Sequence, residues 1–439
     1  MDLNLNRRQF IAGAAATTVA GALGASTLAG SPSDASPAPS ITTSTHLPLP
    51  ADSGIEHIVV VMMENRSFDH YLGWLPGADG RQAGLRYPDA NGDYHETRHL
   101  TAFNGCGHLD PDHSYQGGRT QLDNGACDGF LRATPDDFAI GYYTQDDLSF
   151  YGRAARDWTT CDRYFAAMMG PTFPNRLFQH AAQSDRITNT TDITTIPTIW
   201  DRLSAAGVPA RYYFNDLPVT ALWGTRYLGI TETFAQFRID AAAGLLPAVS
   251  FVDPVFLGEA TGMSGDDHPL ADIRVGQHFL NTVYEAVVSS PDWDKTVLII
   301  NYDEWGGFFE HVVPDLAPDP RPDLGTGLRG FRVPCLVFSP LARRHTIARR
   351  TYDHTSILKM IEWRYGLQPL TVRDAAANNI AEVLDFTRPP DLDAPRYDVP
   401  AVIPCACTAT STHAPDAIHH GEDWPPLRDL ADQVGFTLS

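Results

Sequence analysis

The chain has 439 residues, 43% of them hydrophobic, with 53 acidic against 32 basic side chains and a formal net charge of −21. That length supplies the core of one large domain. So acidic a surface argues against nucleic acid and strongly anionic membranes as partners. Beyond the N-terminal segment no stretch reaches the ~18 apolar residues a membrane-spanning helix needs, so no stable membrane span is expected.

Residues 1–30 read as a twin-arginine export signal: Asn6-Arg7-Arg8-Gln9-Phe10-Ile11 precedes a mildly apolar run of Ala, Gly and Thr. This predicts passage through the twin-arginine translocation machinery to a secreted, cell-wall-associated or periplasmic location. Removal of residues up to about 40 takes away Asp2, Asp34, Arg7 and Arg8, so the net charge is unchanged. Residues 31–54, rich in Pro, Ser, Thr and Ala, read as a flexible linker. The folded part begins near Glu56. His57–Met63 is a short apolar run with consecutive β-branched residues, as in a buried parallel strand. Residues 76–150 are rich in Gly, Asp, Asn and Tyr and lack periodicity. They predict a long excursion over one face, and such loops tend to carry function.

Alternation of strand and helix then resumes. A helix is expected over Pro174–Gln183, opened by Thr172 as its N-cap. Strands are expected at Arg211–Phe214, Val249–Val252, Thr296–Asn301 and Val333–Phe338. Helices are expected at Asp272–Ser289, with an apolar stripe at Val275, Phe279, Val283 and Val287, and at His354–Tyr365. The pattern predicts a three-layer α/β/α sandwich, with a mostly parallel central sheet, over residues 55–385. Residues 386–439 are Pro-rich and read as a peripheral tail with a short helix near Leu427–Val434. An exported chain permits disulfides. Of the six cysteines, Cys106 and Cys127 bracket one Gly/Asp-rich loop and are the expected pair.

In open α/β sheets ligands bind beyond the carboxyl ends of the strands. Two strands here run into hard oxygen donors, Glu64-Asn65 and Asp303-Glu304. If both strands are central and parallel, three carboxylates and an amide oxygen meet at one edge, which calls for a cation. Taken separately, each pair would equally serve as a loop or helix cap. Gly170 to Arg176 reads as a turn into a helix, and Thr172 is its only hydroxyl. Thr172 either caps the helix or offers a hydroxyl at the positive end of the helix, beside N–H groups suited to phosphate.

Six segments in order resemble the bacterial phospholipase C and acid phosphatase family, of the alkaline-phosphatase-like superfamily. They are Met62 to His70, Asp110-Pro111-Asp112-His113-Ser114, Gly170 to Arg176, Asp266-Asp267-His268-Pro269, Asp303 to Val312 and Asp353-His354-Thr355-Ser356. The resemblance implies an exported, metal-dependent phosphoesterase of alkaline-phosphatase-like fold. It implies Glu64, Asn65, Asp303 and Glu304 as ligands of one divalent ion (Ca²⁺, Mg²⁺, Mn²⁺ or Zn²⁺), with Thr172 as nucleophile and additional ligand. It gives His113 and His268 to phosphate oxygens or the leaving group, and Asn65 and Arg176 to the substrate. His311 and His354 match its motifs with no assigned contact, and structural roles are expected for both. Trp305 stands where the family usually has His, and the extra C-terminal domains of many phospholipase C relatives are missing. The implied substrate is a phosphate ester: a phospholipid in a phospholipase C-type reaction or, as alternative, a soluble phosphomonoester in an acid phosphatase. A non-catalytic exported phosphate- or metal-binding protein is the reading from another class.

Overall fold

The computed structural model describes residues 39–42, 46–407 and 424–438, so the twin-arginine segment lies outside the described residues. Nine strands form the main sheet: β1 (Ser40–Ile41), β2 (His57–Met63), β3 (Thr159–Cys161), β4 (Ala210–Phe214), β5 (Thr231–Thr233), β6 (Val249–Val252), β7 (Thr296–Tyr302), β8 (Cys335–Phe338) and β9 (Thr346–Ala348). Their spatial order is β1-β9-β3-β8-β7-β2-β6-β4-β5. Only β8 runs antiparallel to its neighbours, so the sheet is mostly parallel as expected.

β2 and β7 are the centre, and nearly every residue in them is buried. This is what continuous apolar runs produce when a strand is covered on both faces. Asn301 hydrogen-bonds Gln179 of helix α1 (Thr172–Ala181) at 3.0 Å on one face. The next residue, Tyr302, points to the other face and donates to Asp267 at 2.6 Å. On that second face Phe338, paired with Leu298, lies 5.4 Å from the ring of Tyr284 in helix α2 (Ile273–Val288). Helix α3 (His354–Tyr365) packs beside α1. The architecture is therefore the expected α/β/α sandwich.

Four local expectations are corrected. Val275 and Phe279 are only partly buried, and the core face of α2 runs through Ile273, Gly276, Leu280, Val283 and Val287. The linker assigned to 31–54 is not flexible throughout: Ser40–Ile41 adds a parallel edge strand to Ile347–Ala348, and Ser53 and Ile55 are buried. The tail assigned to 386–439 is not peripheral throughout. Helix α4 (Trp424–Gln433) buries Trp424, Leu427 and Ala431, with Trp424 packed on Phe256 and Phe173. The disulfide joins Cys106 to Cys407, with Cα atoms 5.3 Å apart, and not to Cys127. Cys127 turns inward and is 4% exposed. Its thiol is pushed up to about 12 by burial and then by the charge of Glu310. Cys407 is brought to Cys106 by its backbone N–H, which donates to Thr261 O at 2.8 Å.

Peptide mapping without reduction is therefore expected to recover Cys106 linked to Cys407. Cys407→Ser should cost about 2–4 kcal/mol of stability, read by chemical denaturation. A Cys106–Cys127 peptide would contradict this arrangement.

Candidate active site

β2 and β7 pair in parallel from His57 opposite Thr296 to Met63 opposite Tyr302. They end at the same level, so Glu64-Asn65 and Asp303-Glu304 leave the sheet side by side. The crossing is fixed by backbone bonds: Asp303 N–H donates to Met63 O at 3.1 Å, and Arg66 N–H to Glu304 O at 3.2 Å. Asn65 takes a left-handed conformation (φ 60°), which Asn tolerates better than most residues. Its N–H donates to Asp303 Oδ1 at 3.1 Å. The two loops touch so closely that a Cβ on Gly306 (φ +64°) would lie 2.1 Å from Asn65 O. A Cβ on Gly307 (φ +71°) would lie 2.6 Å from the Pro111 backbone. The paired glycines thus let the β2 loop and the 110–113 segment close over the end of β7.

The neighbouring parallel strand β6, paired with β2 up to Val252 opposite Val61, delivers Asp253 to the same edge. Asp266 arrives from the following loop, where its carbonyl accepts Glu64 N–H at 2.9 Å. Glu64, Glu259 and Asp266 present oxygens within 4.8 Å of one another, as do Asp110, His113 and His268 with their ligand atoms.

Thr172 is the first residue of α1, not its N-cap. Pro171 occupies the cap without a side-chain bond, and the Thr172 hydroxyl donates to Glu64 Oε1 at 2.9 Å. The capping explanation for this hydroxyl is thereby excluded. The helix end offers fewer donors than expected, since Pro174 has no N–H and Phe173 N–H is given to Asn189 Oδ1 at 2.8 Å.

Arg176, one turn further along α1, is 1% exposed. Its Nη2 lies 3.4 Å from Glu64, Nη1 3.6 Å from Asp253 and Nε 3.4 Å from Asp303. Every edge of the guanidinium thus meets a carboxylate, which corrects the expectation that it grips substrate. It is the buried counter-charge of the cluster, which holds its own pKa above the ordinary value.

His113 and His268 stand together, ring centroids 6.2 Å apart. His113 Nδ1 donates to Pro111 O at 2.8 Å, leaving Nε2 to accept from Asn65 Nδ2 at 3.4 Å. That bond turns the amide so that Asn65 Oδ1 faces away from the imidazole. His268 Nε2 is 3.5 Å from Asp110 Oδ2 and 3.7 Å from Glu259 Oε2. His354 lies behind the cluster, its Nε2 donating to Asp303 O at 2.7 Å. His311 belongs to a separate ion cluster with Asp69 (2.5 Å) and Asp79 (3.2 Å). Trp305 is fully buried, and its indole donates to Gln121 Oε1 at 2.7 Å. It anchors the helix at Tyr115–Leu122 and does not extend the polar cluster.

Six buried carboxylates (Glu64, Asp253, Glu259, Asp266, Asp303 and Glu304) face one buried Arg at this edge. Burial lifts Asp303 and Asp253 to about 6 against the opposing pull of Arg176. Burial, and then the charge of Asp303, hold Glu64 and Glu304 well above the usual carboxylate range. Asn65 Oδ1, Glu304 Oε1 and Asp266 Oδ2 are buried without a hydrogen-bond partner. Orphaned hard oxygens in an excess of negative charge fit a divalent cation.

The phosphoesterase family model matches residues 55–368. The chain belongs to the phosphoesterase family. It is 33% identical over 485 residues to phospholipase C B of Mycobacterium tuberculosis, covering 90% of this chain and 88% of that protein. It is 29% identical to non-specific phospholipase C6 of Arabidopsis thaliana, covering 84% and 79%. Among solved structures, a protein in the alkaline phosphatase superfamily from Vibrio parahaemolyticus aligns over 73% of this chain and 69% of its own, at TM-score 0.35 and 10% identity. The lipoteichoic acid synthase LtaP of Listeria monocytogenes aligns over 79% of each, at 0.37 and 8%. The protein is thus a phosphoric ester hydrolase.

In this phosphoesterase the sequence-predicted Glu64, Asn65, His113, Thr172, Arg176, His268, Asp303 and Glu304 gather at one sheet edge. Sequence reasoning missed Asp110, Asp253, Glu259 and Asp266. Asp253 follows a strand end and Asp266 lies in the quoted histidine motif, so both carried a readable signal. Glu259, on an irregular loop, carried none.

The raised carboxyl groups set a pH test. A carboxyl whose pKa rises on folding stabilises the fold below its unfolded value of 3.8, and that contribution is lost as pH climbs through about 6. Chelator-treated protein should therefore melt lower at about pH 7.5 than at about pH 5. Added Mn²⁺ should raise the melting temperature more at the higher pH, and an equal or smaller gain there would contradict this reading.

Proposed function

We propose that this phosphoesterase is a phospholipase C-type enzyme that works with one divalent metal ion and forms a phospho-threonine intermediate on Thr172. The observation that carries the reading is the Thr172 hydroxyl, placed at the start of α1 and bonded at 2.9 Å to Glu64 rather than used as a cap. The curated relatives named as phospholipases C support the substrate class.

Glu64, Asn65, Asp303 and Glu304 would hold the ion. When bound, it supplies positive charge that favours the threonine alkoxide and the developing charge on phosphoryl oxygen. Thr172 Oγ1 loses its proton toward Glu64, the acceptor it already touches, and attacks phosphorus in line. The P–O bond to the alcohol breaks, and a protonated His268 delivers its proton to that oxygen, while His113, its Nε2 accepting from Asn65, stays neutral. Water then gives a proton back to His268 and attacks phosphorus, the P–O bond to Thr172 breaks, and Thr172 recovers its proton from Glu64. Arg176 stays behind Glu64 and Asp303 throughout, holding both carboxylates in place. His354 fixes the Asp303 carbonyl from the opposite side. Export through the twin-arginine machinery, carried by Arg7 and Arg8, would deliver the enzyme outside the cytoplasm.

Thr172→Ala is expected to lower kcat by about a thousandfold or more while costing only about 0.5–1.5 kcal/mol of stability, the worth of its one hydrogen bond. Thr172→Ser should keep measurable turnover. The assay compares p-nitrophenyl phosphorylcholine with p-nitrophenyl phosphate, with and without chelator, and maps the phosphopeptide after acid quenching. Preference for the monoester would replace the phospholipase reading with an acid phosphatase. Phosphate on another residue, or a fully active Thr172→Ala, would overturn the mechanism.

A further inference from the structure

The C-terminal helix reaches the active site through one side chain. Trp424 opens α4 and is 2% exposed. Its ring stacks on Phe256, centroids 4.0 Å apart and planes 13° from parallel. It meets Phe173, the residue after Thr172, edge-on at 5.3 Å. The Arg176 guanidinium lies 4.6 Å from the Phe256 ring and 5.5 Å from the Trp424 ring. The indole N–H is directed at Glu259 Oε1 and donates to it.

An indole can donate but never accept. It holds Glu259 Oε1 and leaves the other oxygen, Oε2, facing His268 Nε2 at 3.7 Å. Glu259 sits on a single turn, Glu259–Thr261, flanked by Gly258 (φ 96°) and Gly262 (φ 71°). Two contacts from the tail brace it. Cys407 N–H bonds Thr261 O at 2.8 Å, where the Cys106–Cys407 bridge ties the tail down, and Trp424 holds the Glu259 side chain.

Resting on the phosphoesterase mechanism above, we propose that Trp424 is a positioning residue: by holding Glu259 Oε1 it aims Glu259 Oε2 at His268 and so orients the imidazole toward the phosphate. The C-terminal helix is then part of the active site, although it lies beyond residues 55–368, which the family model matches. Trp424 itself touches neither substrate nor metal ligand. Its effect passes through Glu259.

A double-mutant cycle tests this on the full-length, Mn²⁺-loaded chain. Trp424→Phe keeps the stack on Phe256 and removes only the N–H. Glu259→Gln keeps the shape and changes the group presented to His268. Each single variant should lower kcat on p-nitrophenyl phosphorylcholine by about tenfold or more, the usual effect of removing a supporting partner, with KM within about twofold. Each should also weaken binding of inorganic phosphate, read by calorimetry, with bound manganese unchanged by elemental analysis. The double variant should lose no more than the worse single variant, because the two residues act in series. Additive losses, a fully active Trp424→Phe, or loss of manganese from Glu259→Gln would each overturn the proposal. Should Trp424→Phe fail to fold, Glu259→Gln decides alone: wild-type kcat and phosphate affinity refute it, and a tenfold loss with manganese retained supports it. If the wild-type chain cleaves neither p-nitrophenyl ester, the catalytic reading has failed, and the cycle is still read on phosphate affinity.

Discussion

The in-register parallel pairing of His57–Met63 with Thr296–Tyr302 is the constraint on which the site depends. Because both strands are buried on both faces and end together, the first polar residues after each must share one small volume. The chain sends carboxylates there from both strands, adds Asp253 from the next strand, and places a single guanidinium among them. A one-residue slip would exchange the side chains packed on the two faces and separate Glu64 from Asp303. The long apolar runs that fix the register therefore also fix the chemistry. Glycine does the rest: Gly306 and Gly307 occupy positions where any side chain would strike the Asn65 or Pro111 backbone.

Such a concentration of like charge costs stability unless it is neutralised. Arg176 offsets part of it and is itself held by Phe256 and Trp424 as well as by its carboxylate partners. The remaining excess, together with the unpartnered oxygens of Asn65, Glu304 and Asp266, is what a bound cation would relieve. The same cation would ready Thr172, whose hydroxyl already donates to Glu64. Stability given up at this edge is recovered in the surrounding apolar core.

Much of this was legible in the sequence, for reasons that also explain what was not. Glu64, Asn65, Asp303 and Glu304 were readable because each pair ends a strand whose apolar pattern is unmistakable, and strand ends are where open sheets bind ligands. Thr172 stood out as the one hydroxyl of its turn, but its local geometry was not legible: the cap fell on Pro171, and the hydroxyl bonds Glu64. Arg176 looked like a substrate clamp because sequence cannot show that three carboxylates surround it. The Cys106–Cys127 pairing failed because proximity in sequence was taken for proximity in space, whereas the partner came from Cys407. Glu259 and Trp424 carried no periodic or motif signal. They meet only through long-range packing, between a loop and a tail helix that no sequence pattern tied to the site.

The central claim is that the two strand ends hold one metal ion against Thr172. Anomalous diffraction from crystals of the Mn²⁺-loaded chain locates that ion directly. The account predicts a single peak about 2.0–2.6 Å, the range of hard-cation oxygen bonds, from oxygens of Glu64, Asn65, Asp303 and Glu304, with Thr172 Oγ1 completing the shell. A peak at Asp69, Glu310 and His311, or one among Glu64, Glu259 and Asp266 that leaves Asp303 and Thr172 uncoordinated, would contradict it.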